Sequence, residues 1–449
     1  MELMAEELPY VAVVKDELLG SVCSSCFKES TQAAKQVSRC SGCKVVSYCS
    51  KACQKRDWTD HKPECISLTR MPTNYQRVPH VEARFIARIA WKRARGDEGI
   101  AYNGRKFTDL MNHRENIEKN AGRMEYFVNL SLLLADYMGN DCPSRDALLD
   151  IFGKVAINAY SVDRLGRGLY IGISIHDHSC APDMEIDFDG PKMILRALKE
   201  KGLKYNKDLR VSYINAKPPK TTEERQEELK RYFFRCTCER CQDEERNRIV
   251  LSVLCKNCSR GVCPVDKSFE KLNCKQAIYF ARVSPVEVND ALGYNAEAAL
   301  WHKRNDKTMN FKDVQGCRRL LAECLAVYEK CSPVLSHLNL HLAQLVRDIC
   351  MLTVTADNPK IAAHFATLGL EAYDYHFSKC DIEMTARYQA AALCLKLADP
   401  ASLESIKLCK KTRDLAILSL GPNSPVVAGL EQDLAILSMM RNFKNNGVH

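Results

Sequence analysis

"GLYIGISIHDHSCAP", residues 168–182, is a run of small, apolar and turn-forming residues that ends beside a single cysteine, Cys180, far from the cysteine-dense N-terminal region. A thiol in such a run is either a small buried hydrophobe or one ligand of a metal whose other ligands lie elsewhere in the chain. Further along, "YFFRCTCERC" (232–241) sets Cys236, Cys238 and Cys241 in a C-x-C-x2-C array. That is one ligand short of the tetrahedron zinc prefers. Cys180 can supply the fourth if the fold brings it there, and the nearer Cys255 or Cys258 can do so as well; spacing alone leaves both open.

Between Cys23 and Cys65 the chain reads "CSSC", "CSGC", "YCSKAC" and "HKPEC". Eight potential ligands fall into four pairs. A two-residue gap lets two thiolates on one turn reach the same ion. Cys49 with Cys53, and His61 with Cys65, have the i, i+4 spacing that puts both groups on one helical face. The chain has 449 residues, 46% of them hydrophobic, enough for a substantial core divided among several domains. Its opening, "MELMAEELPYVAVVKDELLG", lacks the basic flank and unbroken apolar core of a signal peptide, and no stretch reaches the length of a membrane span. The expectation is a soluble, intracellular protein without a membrane partner. In a reducing compartment, 23 cysteines are better explained as metal ligands and buried thiols than as a disulfide framework. A net charge of +9 is compatible with an acidic partner or nucleic acid. The basic residues, including those between 70 and 95, are interleaved with acids, which is the pattern of a solvated face.

The order C-x2-C, C-x2-C, Y-C-x3-C, H-x3-C resembles a MYND finger, in which ligand pairs interleave. The resemblance implies one zinc on Cys23, Cys26, Cys49 and Cys53 and a second on Cys40, Cys43, His61 and Cys65. Both sites would be closed and structural, in a module that binds peptide partners, with Tyr48 and Trp58 shaping a groove or packing the finger. The two stretches quoted first, joined by "RVSYINA" (210–216), resemble the C-terminal half of a SET domain with its post-SET zinc site. Together the two resemblances point to the SET and MYND domain-containing (SMYD) family of protein-lysine methyltransferases. They imply a third structural zinc on Cys180, Cys236, Cys238 and Cys241, S-adenosylmethionine as cofactor, and a protein lysine, histone or non-histone, as substrate.

Methyl transfer to an amine is an in-line displacement, so an enzyme for it mainly aligns a neutral amine in a narrow, dry channel. Tyrosine hydroxyls suit that task because they orient without adding a fixed charge. By resemblance, Tyr213 matches the catalytic tyrosine, Tyr232 a second tyrosine at the lysine channel, and Phe234 the aromatic on the adenine. Asn158 and His178 match cofactor-contacting residues. Taken without the family, the aromatics read as core, Asn158 as a turn residue and His178 as a satisfied structural histidine. Two features depart from the family pattern. Its N-H-S-C is here Asp177-His178-Ser179-Cys180, which loses an amide donor and sets a carboxylate near the cofactor's own. Its Gly-rich cofactor turn has no counterpart ahead of "LPYVAVV" (8–14). These predict weakened cofactor binding, by roughly two to four powers of ten, and tighter binding on Asp177→Asn.

The fold expected is α+β. It comprises an N-terminal strand segment (1–20), the finger (21–66), a helical insertion (67–155), a β-rich SET core (156–235), a post-SET zinc region (236–275) and an all-helical, tetratricopeptide-like domain (276–449). Within it, "VEARFIARIAWKRA", "MEYFVNLSLLLADYM" and "IAAHFATLGLEAYDYHF" have helical spacing, and Thr221 with Glu224 forms a capping pair. Cys255, Cys258, Cys263 and Cys274 form an irregular set and a weak candidate for a further zinc. The cysteines from Cys317 to Cys409 read as buried hydrophobes. Localisation to nucleus and cytoplasm, a role in chromatin and a monomeric state are expected. The rival reading is an inactive zinc-stapled scaffold that recruits partners through the finger and the helical domain.

Overall fold

The computed structural model describes residues 3–30, 37–71, 78–198, 204–214, 220–255, 262–263, 285–305, 309, 313–356, 358–377 and 379–446. The chain opens with two strands, β1 (Leu3–Glu7) and β2 (Val11–Val14), which enter different sheets. The finger follows as the short hairpin β3 (Ser38–Arg39) and β4 (Ser47–Tyr48) and the long helix α1 (Lys51–Arg70). Ser50 caps α1 by accepting the Cys53 N–H at 3.1 Å. That cap corrects the expectation that Cys49 and Cys53 share a helical face: Cys49 lies before the cap, and only Cys53 is helical. His61 and Cys65 do lie one turn apart on α1.

Four helices come next: α2 (Val81–Ala94), α3 (Arg114–Glu118), α4 (Ala121–Met138) and α5 (Arg145–Asn158). The patterns of α2 and α4 were legible as helical periodicity. The burial of α2 was not, because this helix is enclosed on almost every side by α1, β2, α4, α5 and the later strand that pairs with β2. Phe85, Ile86 and Ile89 are fully buried, and so are Arg84 and Arg88. Arg84 and Arg88 are therefore neither a nucleic-acid face nor a solvated one, whereas Arg70 and Arg95 are exposed, as expected. Arg84 donates to Glu64 Oε1 (2.9 Å) and to the Val14 carbonyl (3.0 Å), and Arg88 to Glu64 Oε2 (2.5 Å) and Asp57 Oδ1 (2.9 Å). These two side chains dock the finger onto α2, and Arg84 extends the link to β2.

The chain then forms β5 (Ala159–Val162), β6 (Gly166–Leu169), β7 (Met184–Asp189) and β8 (Lys192–Ala197). One antiparallel sheet has the order β2-β6-β5, with Val13 opposite Arg167; the other has β1-β8-β7, with Glu6 opposite Ile194. The first strands thus pair only with strands more than a hundred residues later, so the finger and α2–α5 are carried as an insertion within one β framework. Val211 makes an isolated parallel bridge to His178. At α5, a Cβ on Gly153 would meet the Asn112 carbonyl oxygen at 2.4 Å. Gly153→Ala should destabilise the protein by roughly 1–3 kcal/mol despite alanine's better helix propensity, seen as a lower melting temperature; an unchanged or raised one would show that α5 can shift away.

Short helices α6 (Thr222–Leu229), α7 (Glu239–Gln242) and α8 (Glu244–Ile249) and the hairpin β9 (Val253–Leu254) and β10 (Val262–Cys263) complete the middle. Thr221 and Glu224 form the predicted capping box. The rest is helical: α9 (Pro285–Asn305), α10 (Val314–Cys331), α11 (Leu340–Ala356), α12 (Pro359–Phe365), α13 (Leu370–His376), α14 (Ile382–Ala398), α15 (Leu403–Leu420) and α16 (Pro425–Asn446). The 361–377 pattern is two helices, not one, broken at Gly369, whose φ of +79° lies in the left-handed region. Cys317, Cys324, Cys331, Cys350, Cys394 and Cys409 are buried among apolar neighbours, as expected. Cys255 and Cys263 are buried too, whereas Cys258, Cys274 and residue 276, the expected start of the helical domain, lie outside the described residues.

Candidate functional site

Three clusters of soft ligands are preformed: Cys23, Cys26, Cys49 and Cys53; Cys40, Cys43, His61 and Cys65; and Cys180, Cys236, Cys238 and Cys241. In each, the ligand atoms lie within 4.8 Å of one another. A tetrahedron with Zn–S bonds of about 2.3 Å has S···S edges of about 3.8 Å. The observed separations include Cys26–Cys49 at 3.6 Å, Cys40–Cys65 at 3.8 Å and Cys180–Cys236 at 3.9 Å. The donor set and its spacing fit zinc at all three places. Cys180 is joined by the C-x-C-x2-C thiols and not by Cys255, which resolves the choice that spacing left open. Both finger knuckles close in the same way: Phe27 and Lys44, each just after a C-x2-C pair, take left-handed φ values of 57° and 60°, and their N–H groups return to the carbonyls of Cys23 and Cys40. Two strained residues in matched places are what a metal offsets.

The second finger cluster has a carboxylate behind its histidine. His61 Nε2 faces Cys43 Sγ at 3.7 Å, while Nδ1 meets Glu64 Oε2 at 2.9 Å. Burial alone would raise the Glu64 pKa, but the Arg88 and Arg84 guanidiniums beside it hold it well below the usual carboxylate range. One buried carboxylate thus orients a zinc ligand and neutralises the arginines that dock the finger.

At the third cluster, residues beside the metal ligands, His178 and Phe234 among them, line a cavity. His178 accepts the Tyr213 backbone N–H at Nδ1 (3.0 Å) and turns Nε2 to Cys180 Sγ (3.3 Å). Burial lowers its pKa to about 4. The ring is therefore neutral, with its proton on Nε2, and both nitrogens are committed to holding the cluster and the Tyr213 backbone. Tyr213 donates its hydroxyl to the His176 carbonyl (2.7 Å), and Tyr232 donates its own to the Tyr213 carbonyl (3.1 Å). Burial, with Asp177 adding to it, raises the Tyr213 phenol pKa, so it stays protonated. Phe233, at φ 63°, turns the backbone so that Tyr232 and Phe234 both line the cavity while Phe233 packs on His113.

The cavity holds about 430 Å³ and is lined by all six of the sequence-predicted residues Asn158, Asp177, His178, Tyr213, Tyr232 and Phe234. That volume falls in the range of about 300–1,000 Å³ usual for small-molecule sites. Asn158 gives both amide hydrogens to backbone carbonyls, of Met111 (2.9 Å) and Lys154 (2.8 Å), which leaves its oxygen as an acceptor. Arg105, Met111, His113, Tyr160 and Arg210 also line the cavity and were not foreseen. Arg105, Met111 and His113 come from the segment between α2 and α3, where nothing in the sequence marks a site. Beneath the floor, Glu7 accepts the N–H groups of Gly172 (2.8 Å) and Ile173 (2.7 Å), fastening β1 to the site. Tyr48 is buried and donates to Asp57, so it packs the finger; Trp58 is 43% exposed.

Comparison with known proteins identifies the finger and a set of relatives. A family model for the MYND finger matches residues 23–65. The human histone-lysine N-methyltransferase SMYD3 is 29% identical over 261 residues, which is 56% of this chain and 58% of that protein. The human histone-lysine N-methyltransferase SMYD1 is 25% identical over 468 residues, 99% of this chain and 86% of that protein. The histone-lysine N-methyltransferase ASHR1 of Arabidopsis thaliana is 28% identical over 274 residues, 57% of this chain and 55% of that protein. The matches to SMYD3 and ASHR1 thus span little more than half of those relatives, whereas the match to SMYD1 runs through most of both chains. With a MYND finger matched at residues 23–65 and relatives of this kind aligned along its length, the chain is similar to the SMYD proteins.

Proposed function

We propose that the chain is a protein-lysine N-methyltransferase whose SET-type active site is the cavity braced by the Cys180 cluster, with β1, β2 and β5–β8 as its framework and the C-terminal helices as a tetratricopeptide-like domain beside it. The observation that carries this reading is convergence: six residues from four separate segments meet in one cavity, on a scaffold pinned by a soft-ligand cluster. S-adenosylmethionine, when bound, supplies an electrophilic methyl. The Asn158 oxygen is an acceptor toward it, and the Phe234 ring, 5.8 Å from the His178 ring, offers an apolar face for a base. His178 acts through its backbone and ring face, because both nitrogens are already used.

The tyrosines set the amine. Each hydroxyl proton is engaged with a carbonyl, so each hydroxyl oxygen faces an incoming amine as an acceptor and fixes its lone pair by holding its N–H bonds. The rings of Tyr213 and Tyr232, 5.1 Å apart, bound a narrow channel. Arg231 donates to the Tyr232 hydroxyl (3.1 Å) and lies over its ring, and Arg105 and Arg210 line the cavity. Arg210 is offset by Asp177, 3.8 Å away, so it is the Arg231 and Arg105 guanidiniums that disfavour an ammonium and so favour the neutral, nucleophilic amine.

Tyr213→Phe should lower methyl transfer to lysine, measured by mass spectrometry on core histones and a lysine-peptide library, by about a hundredfold or more, with zinc content unchanged. Transfer at the native rate would remove Tyr213 from the site. Absence of transfer by the native protein to any substrate, with cofactor bound, would favour the zinc-stapled scaffold.

A further inference from the structure

Asp177 was expected to weaken cofactor binding, as a carboxylate standing where an amide belongs. The cavity supplies a partner for it. Arg210 Nη1 lies 3.8 Å from Asp177 Oδ2 and 3.4 Å from the His178 carbonyl, and both residues line the cavity. The separation is longer than the 2.7–2.9 Å or so of a closed charge-assisted bond. The two groups therefore sit side by side without saturating each other. Arg210 Nε and Nη2 have no hydrogen-bond partner among the described residues, and Asp177 has no other ion-pair partner there. At the rim the Arg210 side chain is 49% and that of Asp177 78% exposed, open to a ligand.

A carboxylate beside a guanidinium is the complement of an α-amino acid, which carries an ammonium beside a carboxylate. We propose that Asp177 and Arg210 form a clamp for the zwitterionic amino-acid end of the cofactor, Asp177 accepting from the ammonium and Arg210 donating to the carboxylate. The inference rests on the methyltransferase reading and deepens it. Four charges then alternate around a ring, so the carboxylate of Asp177 no longer stands alone against that of the cofactor. The sign of one expectation is reversed: Asp177→Asn removes one corner of the ring and weakens binding instead of tightening it. Arg210 holds its place for a visible reason. Its backbone N–H donates to Asp183 Oδ2 (3.0 Å), and its carbonyl accepts the N–H groups of Asp183 (2.9 Å) and Met184 (3.1 Å).

Calorimetric titration of the full chain with S-adenosylhomocysteine and with 5′-methylthioadenosine, which lacks the amino-acid end, tests the clamp. Arg210→Met and Asp177→Asn should each weaken S-adenosylhomocysteine about tenfold, and Arg210→Lys should restore part of the loss. Binding of 5′-methylthioadenosine, already the weaker ligand, should stay unchanged. Zinc content and melting temperature report whether each variant is folded. Equal weakening of both ligands, or of neither, overturns the clamp while leaving the methyltransferase reading intact; so does tighter S-adenosylhomocysteine binding by Asp177→Asn. A native protein that binds neither ligand overturns both.

Discussion

Replacing Cys180 with serine will lower the zinc content from three ions per chain to two and abolish cofactor binding, while Cys350→Ser leaves both unchanged. Cys180 Sγ lies 3.9 Å from Cys236 Sγ and 3.5 Å from Cys241 Sγ, so it joins the segment carrying Asp177 and His178 to the one carrying Tyr232 and Phe234. His178 bonds that same sulfur and holds the Tyr213 N–H with its other nitrogen, so losing the ligand releases three walls of the cavity together. A partner that only orients a metal ligand is worth 10–100-fold or so in metal affinity or activity, and Cys180 is itself a ligand. Cys350 is just as buried but packs within the helical core, outside the three clusters. Atomic-absorption zinc analysis and calorimetry on the two variants settle the point. Loss of the third zinc with cofactor binding intact would show that the cluster does not organise the cavity.

Glu64→Ala should destabilise the protein by about 3–5 kcal/mol. Glu64 is fully buried and accepts from Arg84, Arg88 and His61. Removing it leaves Arg84 buried with only the carbonyl of Val14 and a long approach to Asp16 (3.8 Å), and frees the ring that presents Nε2 to the second zinc. The same variant should therefore weaken the second finger zinc, by about 10–100-fold. By contrast, Arg164→Ala, which removes an exposed pair with Glu29, should leave the melting temperature unchanged. Thermal melts and competition with a zinc chelator give the two readouts. A small stability loss with zinc affinity intact would mean that the arginines find other partners.

How much of this could be read in the sequence follows from the range of each interaction. Zinc ligands declare themselves where the ion fixes short spacings, so eleven of the twelve ligand positions stood out from spacing, whereas Cys180, 56 residues before Cys236, was assigned only through the family resemblance. Tyr213, Tyr232 and Phe234 were legible only through family resemblance, since an aromatic in a core looks the same in sequence. What stayed hidden depends on contacts across long separations. Arg84 and Arg88 read as solvent-facing because their carboxylate partners sit on another helix. Arg105 and His113 lie in a loop that reaches the cavity only once α2–α5 have packed. His178 was assigned to the cofactor, and nothing local revealed that both ring nitrogens serve the cluster and the Tyr213 backbone. Arg210 was likewise silent, so Asp177 looked like a defect.

The central claim is that this cavity binds the methyl donor, and calorimetric titration of the native chain with S-adenosylmethionine tests it most directly. The account predicts saturable one-to-one binding, with half-saturation below about 1 mM, equivalent to about 4 kcal/mol or more, and displacement by S-adenosylhomocysteine. No binding at millimolar cofactor to a protein that carries three zinc ions would contradict it.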